Sequence, residues 1–351
     1  MSETKIRIKD IAALASVSVG TVDRVLHNRG EVAEKTRDKI LKIVRDTRYS
    51  PNVMAQALKL KKKFSFASLL PEPNENNSFW VKHPAGMYKA IGELEPFQIN
   101  LSQITFDMFS ETDFQVKANA LLSNKPDGVL LAPIFKAEST VFCSKLKEAN
   151  IPFVFVDGFI DETEFLSYTG ENIYQSGRVA GQLIDMITRV NGDILLVNIA
   201  RNLQNIHHLN SRTSGFLNYF ETTGRNKGNK ISLNISDPSR RSVNEALKRT
   251  FKNHDNICSV FITGSKSHLI ANYLEEKNIS DVNVVGYDLL DKNVRFLKSG
   301  IIKFLIGQRP EEQTYRGIKK LFEYLSLNKI PERIEYLPVD IVTSENVDFF
   351  V

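Results

Sequence analysis

A chain of 351 residues with 42% hydrophobic and 25% charged residues is too long for one ordinary core and reads as two or three globular domains. No apolar run approaches the roughly 20 residues that span a bilayer, and "MSETKIRIKDIAALAS" lacks an apolar signal core, so a cytoplasmic protein without a membrane partner is expected. The net charge of +5 conceals an asymmetry: residues 1–63 hold 15 Lys and Arg against 7 Asp and Glu, and the remaining 288 hold 31 against 34, the pattern of a nucleic-acid module joined to another body.

In chain order, "IRIKDIAALAS" places Ile8, Ile11, Ala12, Leu14 and Ala15 at helical spacing. "SVS" interrupts the period, and Ser18 is suited to N-cap a second helix with Val22, Val25 and Leu26 inward. "HNRG" closes that helix, with Asn28 or Gly30 able to take the left-handed conformation. A third helix from about Glu34 turns Ile40, Leu41, Ile43 and Val44 inward. Two short helices joined by about three residues, then a third, make a helix-turn-helix arrangement, although a three-helix protein-interaction bundle shares that topology. "YSPNVMAQALKLKKK" then offers a short amphipathic helix from Pro51, ending in Lys59, Lys61, Lys62 and Lys63. It is a poor core element but suits a groove, where an apolar wedge unstacks a base step and lysines meet phosphates.

Beyond residue 63 apolar strands alternate with helices. "FSFASLLP", "FQINLSQITF", "DGVLLAPI", "IPFVFVDG", "GDILLVNIA", "NKISLNIS", "CSVFITG", "VNVVGYD" and "IKFLIGQ" read as strands. "DFQVKANALLSN", "STVFCSKLKEAN", "YQSGRVAGQLIDMITRV" and "SHLIANYLEEKN" read as helices. The alternation means doubly wound parallel α/β architecture, and the number of units predicts two lobes. Ligands of such sheets bind beyond the strand ends and between lobes. Candidate contacts therefore follow the strands: Asn76 to Trp80, Ile134 and Phe135, Asp157 to Phe159, Glu171 and Asn172, Arg201 to Arg212, Gly264 and Ser265, Asp288 and Gln308. An aromatic floor from Phe79 or Trp80, with Arg212, Asp288 and Gln308 as hydrogen-bonding arms, suits a polyhydroxylated ligand. The bland alternatives are core aromatics and an interlobe Arg212–Asp288 salt bridge. His207 and His208 read as a solvated loop rather than a metal pair, and "RPEEQTYRG" as a solvated helix start. Cys143 and Cys258 read as separate buried thiols without metal-ligand spacing.

No nucleophile elbow, zinc-protease motif, phosphate loop or dinucleotide fingerprint occurs, so neither enzyme, metal nor cofactor is expected. The chain divides into a headpiece (1–49), a hinge helix or linker (50–63) and a two-lobed sensor (64–351).

The stretch "IKDIAALASVSVGTVDRVLHNRGEVAEKTRDKILKIVRDTRYSPNVMAQALK" closely resembles the headpiece and hinge helix of the LacI family of regulators. "GENIYQSGRVAGQLI", "NSRTSGF", "VNVVGYD" and "FLIGQ" resemble that family's sensor, which has the type I periplasmic-binding-protein fold. The resemblance implies a regulator of carbohydrate-utilisation genes, expected to be a repressor, binding double-stranded DNA at a pseudo-palindromic operator as a homodimer. A sugar-like effector would act from the interlobe cleft; a nucleoside, a sugar phosphate, or a degenerate pocket read by a partner protein are the alternatives. It implies base reading by Val19, Gly20 and Arg24 beside Ser18, a backbone contact from Thr21 and a phosphate contact from Asn28. Leu58 falls on the minor-groove wedge, Ala55 on the contact between paired hinge helices, and Lys59 on a groove-reading lysine. Arg212, Asp288 and Gln308 fall on sugar-contacting positions, beside Phe79, Trp80 and Phe135. Two departures stand out. After "SVFI" the chain reads "TGS", placing Gly264 where a polar contact is usual. Asp23 stands in the DNA-facing helix, where it would accept from a cytosine, brace Arg24 or Arg29, or reject wrong sequences.

Overall fold

The structure, a computed structural model, describes residues 6–26, 30–47, 49, 63–73, 78–199 and 207–351. The expected contacts Asn28, Ala55, Leu58 and Lys59 lie outside the described residues, as do Asn76, Asn77 and Arg201 to Ile206.

The headpiece has three helices, α1 (Ile8–Ala15), α2 (Val19–Leu26) and α3 (Glu34–Asp46). Ile11, Ala12 and Ala15 of α1, Val22 and Val25 of α2, and Ile40 of α3 form its centre. Leu14, expected inward, is 56% exposed; three inward positions already fill the narrow contact of so small a bundle. Ser16 turns the chain at φ 58°, and Ser18 Oγ accepts from the Thr21 amide at 3.1 Å as the expected cap of α2. Lys39 of α3 donates to the Ala15 carbonyl at 2.9 Å, placing a cation on the negative end of α1. Gly30 has φ +68°, one of the two left-handed positions the sequence allowed.

The body has two sheets of six strands. Lobe 1 has order β11-β5-β4-β3-β1-β2, and lobe 2 has β12-β10-β9-β8-β6-β7. In lobe 1 these are β1 (Ser65–Pro71), β2 (Asn100–Phe106), β3 (Gly128–Leu131), β4 (Phe153–Val156), β5 (Ser167–Gly170) and β11 (Ile334–Tyr336). In lobe 2 they are β6 (Asp193–Ile199), β7 (Lys230–Ile235), β8 (Ile257–Ile262), β9 (Asn283–Tyr287), β10 (Ile302–Gly307) and β12 (Asp340–Val342). Only the β10–β12 pairing is antiparallel. Central strands are continuously buried, as in "GVLL" and "ICSVFI", whereas edge strands β2 and β7 alternate. Helices cover both faces, so successive side chains enter different cores: Val260 and Ile262 pack on one side of lobe 2 and Phe261 on the other. The expected strands all occur. The strands β5, β11 and β12 were not expected, because "SYTG", "IEY" and "DIV" are too short or polar to carry an apolar run.

The helices of the body are α4 (His83–Glu93), α5 (Glu111–Ser123), α6 (Lys136–Glu148), α7 (Ile173–Ile187), α8 (His207–Thr223), α9 (Arg240–Asn253), α10 (Ser267–Glu276), α11 (Asp291–Lys298) and α12 (Pro310–Leu327). Three connections cross between lobes: β5 to α7, β10 to α12, and β11 to β12. Helix α12 returns to lobe 1 against α4, and α7 lies in lobe 2 against α8. The α7–α8 packing is close because Gly177 and Gly215 let the backbones meet: a Cβ at Gly177 would lie 2.2 Å from the Arg212 carbonyl oxygen. Cys143 and Cys258 are buried free thiols in different lobes. No helix among the described residues is long and apolar enough to cross a membrane.

Candidate DNA-reading helix and interlobe effector cleft

On α2 the buried Val22 and Val25 leave Val19, Gly20 and Arg24 exposed. The expected base-reading positions therefore share the outward face. Ser18 is exposed too, its hydroxyl 2.9 Å from that of the half-buried Thr21. The Arg24 Nε donates to the Gly20 carbonyl at 3.3 Å, laying the guanidinium along the helix. Asp23 is half-buried. Partial burial raises the Tyr49 phenol above its ordinary value, and the negative charge of Asp23 raises it further. The field of Asp23 thus reaches the chain just after α3.

The second site lies where the lobes meet. Arg212 sits one and a half turns into α8, so "HHLNSR" is helix rather than the solvated loop expected from its amides and histidines. His208 is half-buried and lines the cleft. The Arg212 guanidinium is 2% exposed. Its Nε donates to Glu171 at 3.1 Å, Nη1 to the Thr263 carbonyl at 2.8 Å, and Nη2 to Gln308 Oε1 at 2.6 Å and again to Glu171. Its flat face lies 3.8 Å above the centre of the Tyr287 ring. The salt bridge is therefore with Glu171, so the Arg212–Asp288 salt bridge, the bland alternative for these residues, does not form. Asp288 joins indirectly, its Oδ1 accepting from Gln308 Nε2 at 2.7 Å.

Pseudo-symmetry explains this convergence. The two lobes share one strand order, so β4 corresponds to β9 and β5 to β10. Asp157 follows β4 with φ 66° and Asp288 follows β9 with φ 71°, a left-handed turn that Asp tolerates better than most side chains. Glu171 follows β5 and Gln308 follows β10, each at the start of a crossing. Arg212 therefore ties together two crossings between lobes. Gln313, on the first turn of α12, accepts from the Asp157 amide at 2.7 Å and donates to the Gln308 carbonyl at 2.9 Å. Here "RPEEQTYRG" departs from a plain solvated face: Gln313 and Thr314 are buried, and Arg309 pairs with Asp340 at 2.6 Å.

Electrostatics follow from three carboxylates around one cation. Burial pushes Asp288 up to about 7 against the pull of Arg212 and Gln308, with Glu171 and Asp157 pushing the same way as burial. Burial likewise pushes Asp157 up to about 6, opposed by Arg212 and reinforced by Glu171.

The cleft above this network is lined by Phe79, Trp80, Arg212, Gly264, Asp288 and Gln308 among others, so six expected residues converge. Phe135 lines the adjoining hollow in lobe 1, which shares Met108, Phe109, Ile134, Asp157 and His208 with the cleft. Trp80 also belongs to the lobe 1 core and stacks on His83 at 4.2 Å, so the cleft-lining and core readings both hold for it. A Cβ at Gly264 would meet only a Leu209 methyl, at 3.6 Å. The space a longer side chain would fill is open to the cleft. Glu171 is among the candidate contacts that follow the strands, whereas Tyr287, Gln313 and the Thr263 carbonyl are not. Only the repeated glycine-then-polar ending of β5 and β10, "GE" and "GQ", hints at two of its members.

Two pseudo-symmetric parallel lobes, three crossings and a cleft at the strand ends define a two-lobed ligand-binding fold carrying a helix-turn-helix headpiece. Residues 68–329 match the periplasmic binding protein domain family, and residues 7–52 match the bacterial regulatory proteins of the lacI family. The chain belongs to the periplasmic binding protein domain family through its two-lobed body, and its headpiece is a domain of the lacI family of bacterial regulatory proteins. It is 30% identical to the HTH-type transcriptional regulator DegA of Bacillus subtilis over 43% of this chain and 44% of that protein, so the match spans under half of that relative. It is 25% identical to the ribose operon repressor of Lactococcus lactis over 80% of each chain. A solved structure from Bacteroides fragilis, assigned to the LacI transcriptional regulators, superposes with a TM-score of 0.77 at 29% identity, covering 83% of this chain and all of that one.

Proposed function

We propose that the protein is a ligand-responsive transcriptional repressor of carbohydrate-utilisation genes, working as a cytoplasmic homodimer on a pseudo-palindromic operator. The units are a headpiece at 1–49, a hinge at 50–63 and a sensor at 64–351. Val19, Gly20 and Arg24 read bases beside Ser18, Thr21 and Asp23. Asn28 holds a phosphate, and Ala55, Leu58 and Lys59 act at the operator centre. Phe79, Trp80, Phe135, Arg212, Gly264, Asp288 and Gln308 receive the effector.

The observation that carries this reading is the buried Arg212, hydrogen-bonded to both crossings through Glu171 and Gln308 at the base of an open cleft. A ligand competing for those groups alters how the lobes are held together. In a dimer that alters the spacing of the two hinge segments, which are too short to be helical alone. DNA affinity and ligand affinity are then coupled reciprocally. Relatives whose names give their role are transcriptional regulators and sugar-operon repressors rather than enzymes, which supports the same reading.

A second reading is favoured by one feature. Arg212 already makes four hydrogen bonds within the protein, and guanidinium offers five N–H donors. A pocket so occupied would suit a regulator read by a partner protein instead. Selection from random-sequence DNA, followed by titration of sugars, sugar phosphates and nucleosides against the selected site, tests both. Enrichment of a pseudo-palindrome whose affinity shifts with one of these compounds is expected. An enriched site that responds to none of them would favour the partner-protein reading, and no enrichment would remove the DNA-binding role.

A further inference from the structure

The volume and charge of the cleft restrict what it can hold. The part bounded by Arg212, Asp288 and Gln308 has a volume of about 100 Å³, below the range of roughly 300–1,000 Å³ usual for small-molecule sites. The adjoining hollow in lobe 1 adds about 570 Å³. Its walls are Phe109, Pro133, Ile134, Phe135, Phe159 and Ile160, from the loops after β2, β3 and β4. The two spaces are neighbours that share Met108, Phe109, Ile134, Asp157 and His208 as lining.

Among the described residues, the walls carry carboxylates at Glu111, Asp157, Asp161, Glu162 and Asp288 against cations at Lys136, Arg212 and Lys266. Arg212 is matched by Glu171, and Lys136 pairs with Glu162 at 2.8 Å. Beside Arg212, Glu171 Oε2 is buried with no hydrogen-bond partner among the described residues. A phosphate or carboxylate entering here would lose its hydration to face surplus negative charge.

Resting on the reading of the cleft as an effector site, we infer that the effector is an uncharged polyhydroxylated molecule longer than one sugar ring. Its hydroxyl-bearing head sits at Arg212, Asp288 and Gln308, and its second part lies in the lobe 1 hollow over Phe109, Ile134 and Phe159. Phosphorylated and acidic sugars are excluded by charge.

The test is isothermal titration of the full chain with glucose, galactose and ribose as single rings, and with maltose, sucrose, lactose and phenyl β-glucoside as longer neutral probes. Glucose 6-phosphate and glucuronate are the anions. At least one longer neutral probe should bind about ten-fold or more tighter than its single ring, and neither anion should bind. Phe159→Ala, at a side chain that lines the hollow but not the Arg212 end of the cleft, should weaken the longer probe more than its single ring and so remove that advantage. Gln308→Ala should weaken every neutral probe. Equal affinity for single and longer rings, or an anion binding better than its neutral parent, would overturn the inference while sensitivity to Gln308→Ala upheld the cleft. Binding that ignores Gln308→Ala, or no binding across the panel, would overturn the cleft reading and this inference with it.

Discussion

At the residue scale, the two sites place charge in opposite settings. Arg24 is exposed on α2, where a bidentate contact to guanine is worth roughly 1–3 kcal/mol against a wrong base. Arg24→Ala is expected to abolish discrimination between the selected site and random DNA while keeping salt-dependent binding; competition binding at two salt concentrations reads it, and equal losses on both DNAs would refute it. Asp23→Ser removes a carboxylate from a phosphate-facing helix, so tighter and less selective binding is expected. Loss of preference at one C·G pair instead would reveal direct readout. In the cleft, Asp288 is buried and its carboxyl is raised to about 7. Because the folded-state value lies above the unfolded one, the folded state binds the extra proton between about pH 4 and 7, and this group's contribution to stability falls as pH rises through that window. Asp288→Asn should therefore gain stability relative to the parent between pH 5 and pH 8. Urea unfolding at both pH values measures it, and a difference independent of pH would show that Asp288 does not titrate in this window.

At the element scale, the position of Arg212 depends on helix packing. Helix α8 lies directly on α7 because Gly177 and Gly215 present no Cβ to the facing backbone. Gly177→Ala would drive a methyl into the Arg212 carbonyl, an overpacking that costs roughly 1–3 kcal/mol. Lower thermal stability together with weaker effector binding is expected, since α8 carries the guanidinium away from Glu171 and Gln308. Unchanged effector affinity would show that the network tolerates the shift. On the proposed function, the short sequence "SPNVMAQALKLKKK" acts at the operator centre, and isolated helices of that length are marginal in water. Leu58→Ala should reduce operator bending, read by circular-permutation mobility or FRET, and unchanged bending would exclude the wedge.

At the scale of the whole molecule, much was legible in the sequence. Buried parallel strands announce themselves as continuous apolar runs, so "GVLL", "FVFV" and "ICSVFI" were readable. The headpiece was readable from helical period and caps, because its contacts are local. Six expected effector residues share one cleft; Gly264, Asp288 and Gln308 lie within two residues of a strand end, a position the chain order reveals. The partners within that cleft were not legible. Glu171, rather than Asp288, meets Arg212 because "SYTG" is a strand only through its pairing with β4 and β11. That pairing brings residues 171, 212 and 308 together across separate crossings. By itself, the sequence determined a helical headpiece, the doubly wound fold of the body and the outward face of α2, all set by local periodicity and propensity. Only the tertiary structure decided which carboxylate neutralises the buried arginine, that this arginine bridges both crossings, and that the cleft shares part of its lining with a hollow walled by apolar side chains. Those outcomes depend on two lobes folding their strand ends against each other, and no local pattern encodes that geometry.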